Sequence, residues 1–272
     1  MLKTRIITAV ILLVLLLGLL YANSYTAVVL ACAAFFAAAS WEVFRLFGSR
    51  QPLIGAALWA IAFLFEAWAD RLTNSTAFYA VCCAIWVIRL GPSLVIGLPS
   101  QASISNRLLA AVYGLAIFGA LFAILALFRH SAVYLFSVMA LVWIADIGAF
   151  AAGKAYGRHK LAPSISPGKS WEGAIGGWVA VLLIAGLSTL IPQLGDTFAV
   201  HLQARFGWAG FVAVMTLMVV ASVVGDLFES QLKRRAGFKD SSNLLPGHGG
   251  VLDRIDALIP ALPLAVLVNH WL

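Results

Sequence analysis

Long stretches without any charged residue constrain this chain more than any other feature of its sequence. Asp, Glu, Lys and Arg are absent from residues 6–41, 108–128, 173–195 and 206–225. A helix that crosses the hydrocarbon core of a bilayer needs about 20 mostly apolar residues. Each of the last three stretches therefore matches one membrane crossing. The first matches two, divided at residues 21–24.

The composition excludes an ordinary soluble domain. Only 11% of the 272 residues are charged and 62% are hydrophobic, whereas charged residues make up about 25% of a typical soluble domain. The net charge of +7 is spread between the apolar stretches and forms no basic, aromatic-interleaved module, so no nucleic-acid partner is predicted. Cys32, Cys82 and Cys83 lie in apolar stretches without a C-x-x-C pair, which indicates small core residues.

The apolar stretches predict an all-α, polytopic integral membrane bundle with about nine helices. The predicted spans are residues 6–22, 25–44, 52–69, 74–91, 107–128, 131–153, 173–193, 207–231 and 255–272. Residues 91–105 are apolar but broken by glycine and proline, so a re-entrant or interfacial piece is the alternative there. The N-terminal stretch resembles a signal peptide, but another span follows it at once, which favours a retained first helix.

No polar stretch is long enough to bury a core of its own. The chain is therefore divided into N-terminal membrane helices, residues 1–130, and C-terminal membrane helices with the polar segments, residues 131–272.

The distribution of Lys and Arg predicts the orientation of the spans. With a cytoplasmic N-terminus, 15 of the 18 basic residues fall in cytoplasmic loops, and only Arg71, Arg129 and Arg205 fall outside. Because Lys and Arg of short loops stay on the cytoplasmic side, this split predicts a cytoplasmic N-terminus and an external C-terminus.

Two polar segments, residues 153–173 and 230–256, are both predicted on the cytoplasmic side. They interleave Lys and Arg with carboxylates, glycines and hydroxyl residues, which favours a phosphate and metal site over a purely topological role. Gly168-Lys169-Ser170 resembles the end of a P-loop, but Pro163 stands where that loop needs a glycine. Lys169 is therefore either a phosphate contact or a plain loop lysine.

The turn Gly247-His248-Gly249-Gly250 can reach unusual backbone angles. Successive N–H groups in such a turn can form an anion-binding nest, and a flexible link between two helices is the alternative. His248 is either a hydrogen-bonded loop residue or part of the site. The five histidines lack H-x-x-x-H spacing, so no zinc site is predicted.

Carboxylates inside apolar helices mark function, because a charge at mid-helix costs about 2.5–3.5 kcal/mol to insert. Asp146 lies inside the sixth span, and Asp226 and Glu229 share one face near the end of the eighth. Asp253 and Asp256 repeat this spacing at the start of the last helix, where an N-cap role is the alternative for one of them. Such helix ends can hold a hard cation through oxygen ligands.

Three further carboxylates, Glu42, Glu66 and Asp70, lie near the ends of early spans. They are interpreted as interfacial residues that reach water, and no chemistry is assigned to them.

The second polar segment carries a pattern that resembles a known family. The pattern is Ser230-x-Leu232-Lys233-Arg234, then Lys239-Asp240-x-Ser242, then Leu245-Pro246-x-His248-Gly249-Gly250-Val251-x-Asp253-Arg254-Ile255-Asp256. It resembles the signature of the phosphatidate cytidylyltransferases, also called CDP-diacylglycerol synthases. The stretch from Asp146 to residue 173 and residues 225–230 are similar to the same family, whereas the resemblance is weak before residue 130.

The resemblance implies a reaction in which CTP and phosphatidic acid give CDP-diacylglycerol and pyrophosphate, with Mg²⁺ as cofactor. It implies metal ligation by Asp226, Asp253 and Asp146, of which the first two are the strongest candidates. The remaining site residues are Lys233, Arg234, Lys239, Asp240, His248 and Asp256 for catalysis, and Lys160, Ser166, Lys169, Ser170, Gly249, Gly250 and Arg254 for substrate binding. A plasma-membrane location (the bacterial inner membrane), a cytoplasm-facing site and a homodimer are also implied.

Three other functions fit parts of the sequence. A CTP-dependent lipid kinase with a related core is the closest rival, but the full signature argues against it. A CDP-alcohol phosphotransferase should contain D-G-x-x-A-R, which is absent. A transporter would place ionisable residues near the mid-membrane between repeats, whereas here they collect at one edge.

Overall fold

The structure, a computed structural model, describes residues 2–272, with side chains from Thr4 onward except that of Arg5. The side chains of Lys3 and Arg5, which the topology prediction places in the cytoplasm, lie outside the described part. The elements are α1 (Leu2–Ala22), α2 (Tyr25–Leu46), α3 (Pro52–Ala69), α4 (Thr76–Ile85), α5 (Ser93–Ile96), α6 (Ile104–His130), α7 (Ala132–Tyr156), β1 (Lys160–Ala162), β2 (Ser166–Ser170), α8 (Trp171–Ser188), α9 (Phe198–Arg235), α10 (Leu252–Ile255) and α11 (Leu258–Asn269).

The helices confirm the predicted all-α, polytopic bundle. Within the described residues, seven helical stretches are long and apolar enough to cross a membrane: α2, α3, the stretch Thr76–Ile96, α6, α7, α8 and α9. Two shorter apolar helices are Ile6–Ala22 within α1 and Leu258–Asn269, which is α11. The total of nine spans and the orientation of the N-terminus therefore stay predictions.

Two segments depart from simple spanning helices. A π-helical turn at Trp86–Leu90 follows α4, and the short α5 comes after it, so the glycine- and proline-containing stretch forms broken helix. Helix α9 is interrupted at Gly207, whose φ of 66° and ψ of −173° are not helical. The predicted eighth span begins at this break.

One end of the bundle, called the cavity face, gathers the ends of α2, α7 and α9 and the start of α6. Arg45 of α2 donates to the Ser241 carbonyl oxygen in the loop after α9. Arg235 Nη1, at the end of α9, lies 2.7 Å from Asn106 Oδ1 in the first turn of α6. Thr8 of α1 donates to a carbonyl oxygen in the same loop after α9 at 2.8 Å. These contacts place the polar loops together at one end.

The opposite end, called the far face, gathers the ends of α3, α6 and α11 and the starts of α4, α7 and α9. Arg129, near the end of α6, forms an ion pair of 2.8 Å with Asp70 after α3. Tyr134 Oη, in the first turn of α7, donates to Asn269 Oδ1 at 2.6 Å. The three arginines predicted outside, Arg71, Arg129 and Arg205, all lie on this face.

The core sits around α6, because 16 of its 27 residues are buried. Phe118 and Phe122 of α6 pack with Phe63 of α3 at ring-centroid distances of 5.6 and 4.8 Å, and Phe36 of α2 completes the cluster. The outward side of α3 is apolar and exposed, with Leu58 at 62%. An apolar outer surface of this kind suits contact with lipid rather than water.

Helices α7 and α8 pack almost backbone to backbone because small residues line their contact. A Cβ placed at Gly148 would lie 2.8 Å from the Ala180 Cβ, and one placed at Gly177 would overlap the Ala145 carbonyl oxygen. Small residues allow this close approach in membrane helices, where van der Waals packing drives association. The packing brings the end of α7 and the start of α8 together at the cavity face.

We expect Gly177→Ala to lower the thermal stability of the protein, because the added methyl group overlaps the α7 backbone. Overpacking of this kind costs about 1–3 kcal/mol. The measurement is the midpoint of thermal unfolding in detergent, followed by tryptophan fluorescence. Gly18→Ala is the matched control, since nothing lies within 4 Å of a Cβ at that position. Equal midpoints for the two variants would contradict the packing account.

Candidate functional site

A cavity of about 610 Å³ opens on the cavity face, between the two polar segments. Its lining combines charged groups with apolar side chains from six elements. The lining residues are Asp146, Ala149, Phe150, Gly153 and Lys154 of α7, Leu161, Ser166, Gly168, Lys169 and Ser170 of the hairpin β1–β2, Gly173 and Ala174 of α8, Val223 and Asp226 of α9, and Asp253, Arg254 and Asp256 at α10. The two segments predicted to carry the chemistry therefore meet in one place.

The first polar segment forms an antiparallel hairpin, which the all-α prediction did not include. Lys160 of β1 pairs with Ser170 of β2. Ser170 then caps α8 by accepting from the Gly173 N–H at 3.1 Å. Glu172 accepts from the N–H groups of Arg158 and His159 at 3.1 and 3.2 Å. These bonds tie the hairpin to the ends of α7 and α8 and so fix the cavity wall.

Lys169 connects the two polar segments. Its Nζ forms an ion pair with Asp226 Oδ2 of α9, and Ser230 Oγ donates to the other oxygen of Asp226 at 3.3 Å. Because Lys169 lies on β2, its backbone does not form a P-loop. It contributes a side-chain ammonium group beside a carboxylate in the cavity.

Asp253 organises the loop between α9 and α10. Its Oδ2 accepts from Ser241 N, Ser241 Oγ and Gly250 N at 2.7–2.8 Å, and its Oδ1 accepts from Lys233 Nζ at 2.5 Å. Burial opposes ionisation, but Lys233 and the backbone donors hold the pKa of Asp253 below its usual value. Both oxygens of this predicted metal ligand are thus engaged by the protein.

Lys233, predicted as catalytic, lies between two carboxylates. Its Nζ pairs with Glu229 one turn earlier on α9 and with Asp253. The Lys233 side chain is only 12% exposed and that of Glu229 is fully buried. Lys233 therefore connects α9 to the loop between α9 and α10, and it is not among the residues that line the cavity.

The prediction that Glu42 is an interfacial residue reaching water is wrong, because Glu42 is fully buried. Its carboxylate accepts from the N–H groups of Val251 and Leu252 at 3.0 and 2.7 Å, and from the hydroxyls of Ser241 and Ser242. It therefore caps α10, although it lies more than 200 residues earlier. The sequence could have indicated a role for Glu42, since it lies inside the predicted span 25–44. A carboxylate there has a high free-energy cost unless it has partners.

The glycine turn binds a carboxylate of the protein itself. Gly247 and Gly249 have φ angles of 76° and 80°, which glycine adopts without steric cost. The Gly250 N–H donates to Asp253, and a Cβ at Gly250 would overlap Ser241 Oγ and Glu42 Oε1. In the structure Gly249 and Gly250, predicted to bind substrate, shape the loop around these side chains.

Three carboxylates besides Asp253 line the cavity and are candidates for binding a cation. Asp146 and Asp226 line the cavity, and no described donor reaches the Asp146 carboxylate with a hydrogen bond. Asp256 lines the same cavity, so the negative charges of these three carboxylates repel one another. This repulsion among acidic groups is what a bound cation would relieve. The residues therefore fit Mg²⁺, which usually takes one or two carboxylates and keeps several waters.

Other predicted site residues lie away from the cavity lining. Arg234, Lys239, Asp240 and Lys160 are exposed, whereas His248 is half-buried with a buried Nδ1. Ser166, Ser170 and Arg254, predicted to bind substrate, line the cavity. Lys154, at the end of α7, also lines it and was missed as a site residue, because its position in a basic loop indicated only topology.

Comparison with known proteins gives consistent matches along the chain. The model of the cytidylyltransferase family matches residues 3–272. A phosphatidate cytidylyltransferase from Pseudomonas aeruginosa is 38% identical over 97% of this chain and 95% of that protein. One from Haemophilus influenzae is 46% identical, but the alignment covers only 49% of this chain and 44% of that protein. One from Mycobacterium bovis is 32% identical over 81% of this chain and 72% of that protein.

We expect Glu42→Ala to loosen α10, because the variant leaves the Val251 and Leu252 N–H groups buried without an acceptor. Each such loss costs about 1–3 kcal/mol. Hydrogen exchange at these two amides should accelerate by roughly tenfold or more. Glu66→Ala is the control, since its partner is the exposed Arg71 on the far face. Unchanged exchange in Glu42→Ala would refute the capping role.

Proposed function

Because the chain belongs to the cytidylyltransferase family, we propose that it transfers the cytidylyl group of CTP to phosphatidic acid. The products are CDP-diacylglycerol and pyrophosphate. The observation that carries the proposal is the cavity in which Asp146, Asp226, Lys169 and Arg254 meet beside apolar helix surfaces. A nucleotide and a lipid phosphate need such a mixed site.

The reaction forms one phosphorus–oxygen bond and breaks another. An oxygen of the phosphatidic acid phosphate attacks the α-phosphorus of CTP, and the bond from that phosphorus to the oxygen bridging to the β-phosphate breaks. The nucleophile is already an oxyanion, so the reaction needs little base catalysis. Its barrier comes largely from bringing two anions together, which makes positioning and charge neutralisation the main tasks of the site.

The basic residues of the cavity perform part of this neutralisation. Lys154, Lys169 and Arg254 line it, and each can donate to phosphate oxygens. Lys169 is held by Asp226, so it is positioned before substrate arrives. The leaving pyrophosphate carries negative charge and needs the same cationic surroundings.

Mg²⁺ is the proposed cofactor, with Asp226, Asp146 and Asp253 as its ligands. When bound, it would supply neutralisation of phosphate charge and orientation of the nucleotide. Asp146 and Asp226 have the more accessible oxygens. For Asp253, ligation competes with the hydrogen bonds from Lys233 and the loop, so its charge contributes chiefly through the shape of the loop.

The chain is an integral membrane protein, and the position of the cavity fits a lipid substrate. Phe150 lines the cavity and is 72% exposed on the outer side of α7, close to the exposed Ile147. We infer that the headgroup of phosphatidic acid enters from this side while its acyl chains stay in the bilayer. The cavity face would be cytoplasmic, in the plasma membrane. A homodimer stays a prediction.

The test of the proposed function uses purified protein in detergent with phosphatidic acid, Mg²⁺ and CTP labelled in both the α- and γ-phosphates. Transfer of the α-label into a chloroform-soluble lipid, with the γ-label in pyrophosphate, is the expected result. Transfer of the γ-label to a lipid alcohol, with release of CDP, would instead identify a lipid kinase.

We expect Asp226→Asn and Asp253→Asn each to abolish turnover while the protein still inserts. The first removes a cavity charge, and the second removes the charge that holds Lys233 and the loop. Turnover is measured across a range of Mg²⁺ concentrations, with Asp70→Asn on the far face as the control. Normal activity of either variant at limiting Mg²⁺ would contradict its assignment.

A further inference from the structure

A second group of ligating side chains lies on the far face, remote from the cavity. It consists of His130 at the end of α6, Asp196 in the loop before α9, and His201 in the first turn of α9. Their ligand atoms all lie within 4.8 Å of one another. Along α7, the 14 residue steps from Ala132 to Asp146 correspond to about 21 Å of helix. The group is therefore separate from the proposed active site.

The geometry of this group suits a small divalent cation. His130 Nε2 and His201 Nε2 lie 3.1 and 3.5 Å from the same oxygen, Asp196 Oδ1. Bonds of about 2.0–2.1 Å to a tetrahedral zinc ion place two ligand atoms about 3.3–3.4 Å apart. These two separations bracket that value, and the ligand atoms of the two histidines lie within 4.8 Å of each other.

The packing around the group holds the ligands in this arrangement. Both imidazole rings pack against Tyr134, at centroid distances of 4.1 Å for His130 and 5.6 Å for His201, and their own planes lie at 87° to each other. Ser131 Oγ donates to Asp196 Oδ2, which leaves Oδ1 for the two histidines. A partner on the second oxygen orients a carboxylate ligand in the way seen at metal sites.

The charges of the group also favour a cation. The positive side chains nearest in the sequence have other partners, since Arg129 pairs with Asp70 and Arg205 donates to the Trp271 carbonyl oxygen. Metal ligation requires unprotonated imidazoles. In that state the three side chains offer nitrogen and oxygen donors and carry a net charge of −1. That donor set suits zinc and similar divalent ions better than magnesium or calcium.

We propose that His130, Asp196 and His201 bind one divalent transition-metal ion of the zinc type on the far face. The ion would clamp the turn between α6 and α7 to the start of α9. Helices α7 and α9 carry Asp146 and Asp226 toward their other ends. The bound ion would therefore stabilise the helices that line the cavity without contacting the substrate. The sequence did not reveal the site, because its ligands are 5 to 71 residues apart and lack a helical H-x-x-x-H pair.

The test is zinc binding by the full-length protein, freed of any affinity tag and of metal by chelation. Isothermal titration with Zn²⁺ and elemental analysis after dialysis should give one ion per chain. Asp196→Asn and His201→Gln keep the size of each side chain and should weaken binding by about a hundredfold or more, because loss of even an outer-shell partner weakens binding by 10–100-fold. His270→Gln, another far-face histidine, is the matched control and should bind as the wild type does.

A second readout keeps the test independent of small changes in folding. Co²⁺ in place of zinc should give the visible ligand-field absorption of a site with nitrogen ligands, and His201→Gln should abolish it while circular dichroism and gel-filtration elution stay unchanged. Absence of saturable zinc binding in the wild type would overturn the proposal. Equal affinity in the wild type, Asp196→Asn and His201→Gln would overturn it as well, and the group would then be a hydrogen-bonded clasp only.

Discussion

Two buried carboxylates, Glu42 of α2 and Asp253 of α10, hold the loop that closes the cavity. Glu42 accepts the first N–H groups of α10, and Asp253 accepts the Gly250 N–H. Ser241 bridges them, because its hydroxyl lies 3.2 Å from one carboxylate and 2.7 Å from the other. At the edge of a membrane protein such N–H groups have little water to bind, and leaving them without acceptors costs more than the bonds themselves gain. The position of α10, and with it one wall of the cavity, depends on these acceptors.

These acidic residues form two sets with different structural roles. Glu42, Glu229 and Asp253 are buried and paired with protein donors or with Lys233. Asp146 and Asp226 face the cavity, where one has no described donor and the other holds Lys169. The first set gives the loop its shape, and the second set gives the cavity its capacity for a cation. Phosphoryl chemistry depends on such prior positioning, since charge must be in place when the two anionic substrates meet.

Much of the architecture follows from local sequence. Charge-free stretches of membrane length predict the spanning helices, and interleaved charges predict that the two polar segments share one site. The Lys169–Asp226 ion pair shows that the two segments are in contact. The roles of Glu42 and Gly250 could not be read in this way. The two residues lie more than 200 positions apart, yet a Cβ at Gly250 would overlap Glu42 Oε1. Neither local pattern nor spacing predicts which distant side chain a buried backbone group will meet.

The same reason explains the hairpin and the far-face histidines. Strands β1 and β2 are only three and five residues long, too short for an alternating pattern to stand out from a polar loop. His130 and His201 come together because α6 and α9 meet at the far face, which is a consequence of helix packing. Sequence predicts what each helix buries more readily than which helix ends become neighbours.

Hydrogen exchange of the amides in residues 241–252 tests most directly whether loop shape and cavity chemistry are carried by different carboxylates. The comparison is between the wild type, Asp253→Asn and Asp226→Asn in the same detergent. Faster exchange throughout this loop in Asp253→Asn, with wild-type exchange in Asp226→Asn, is the predicted result. Wild-type protection in Asp253→Asn, or equal loosening in both variants, would contradict the division.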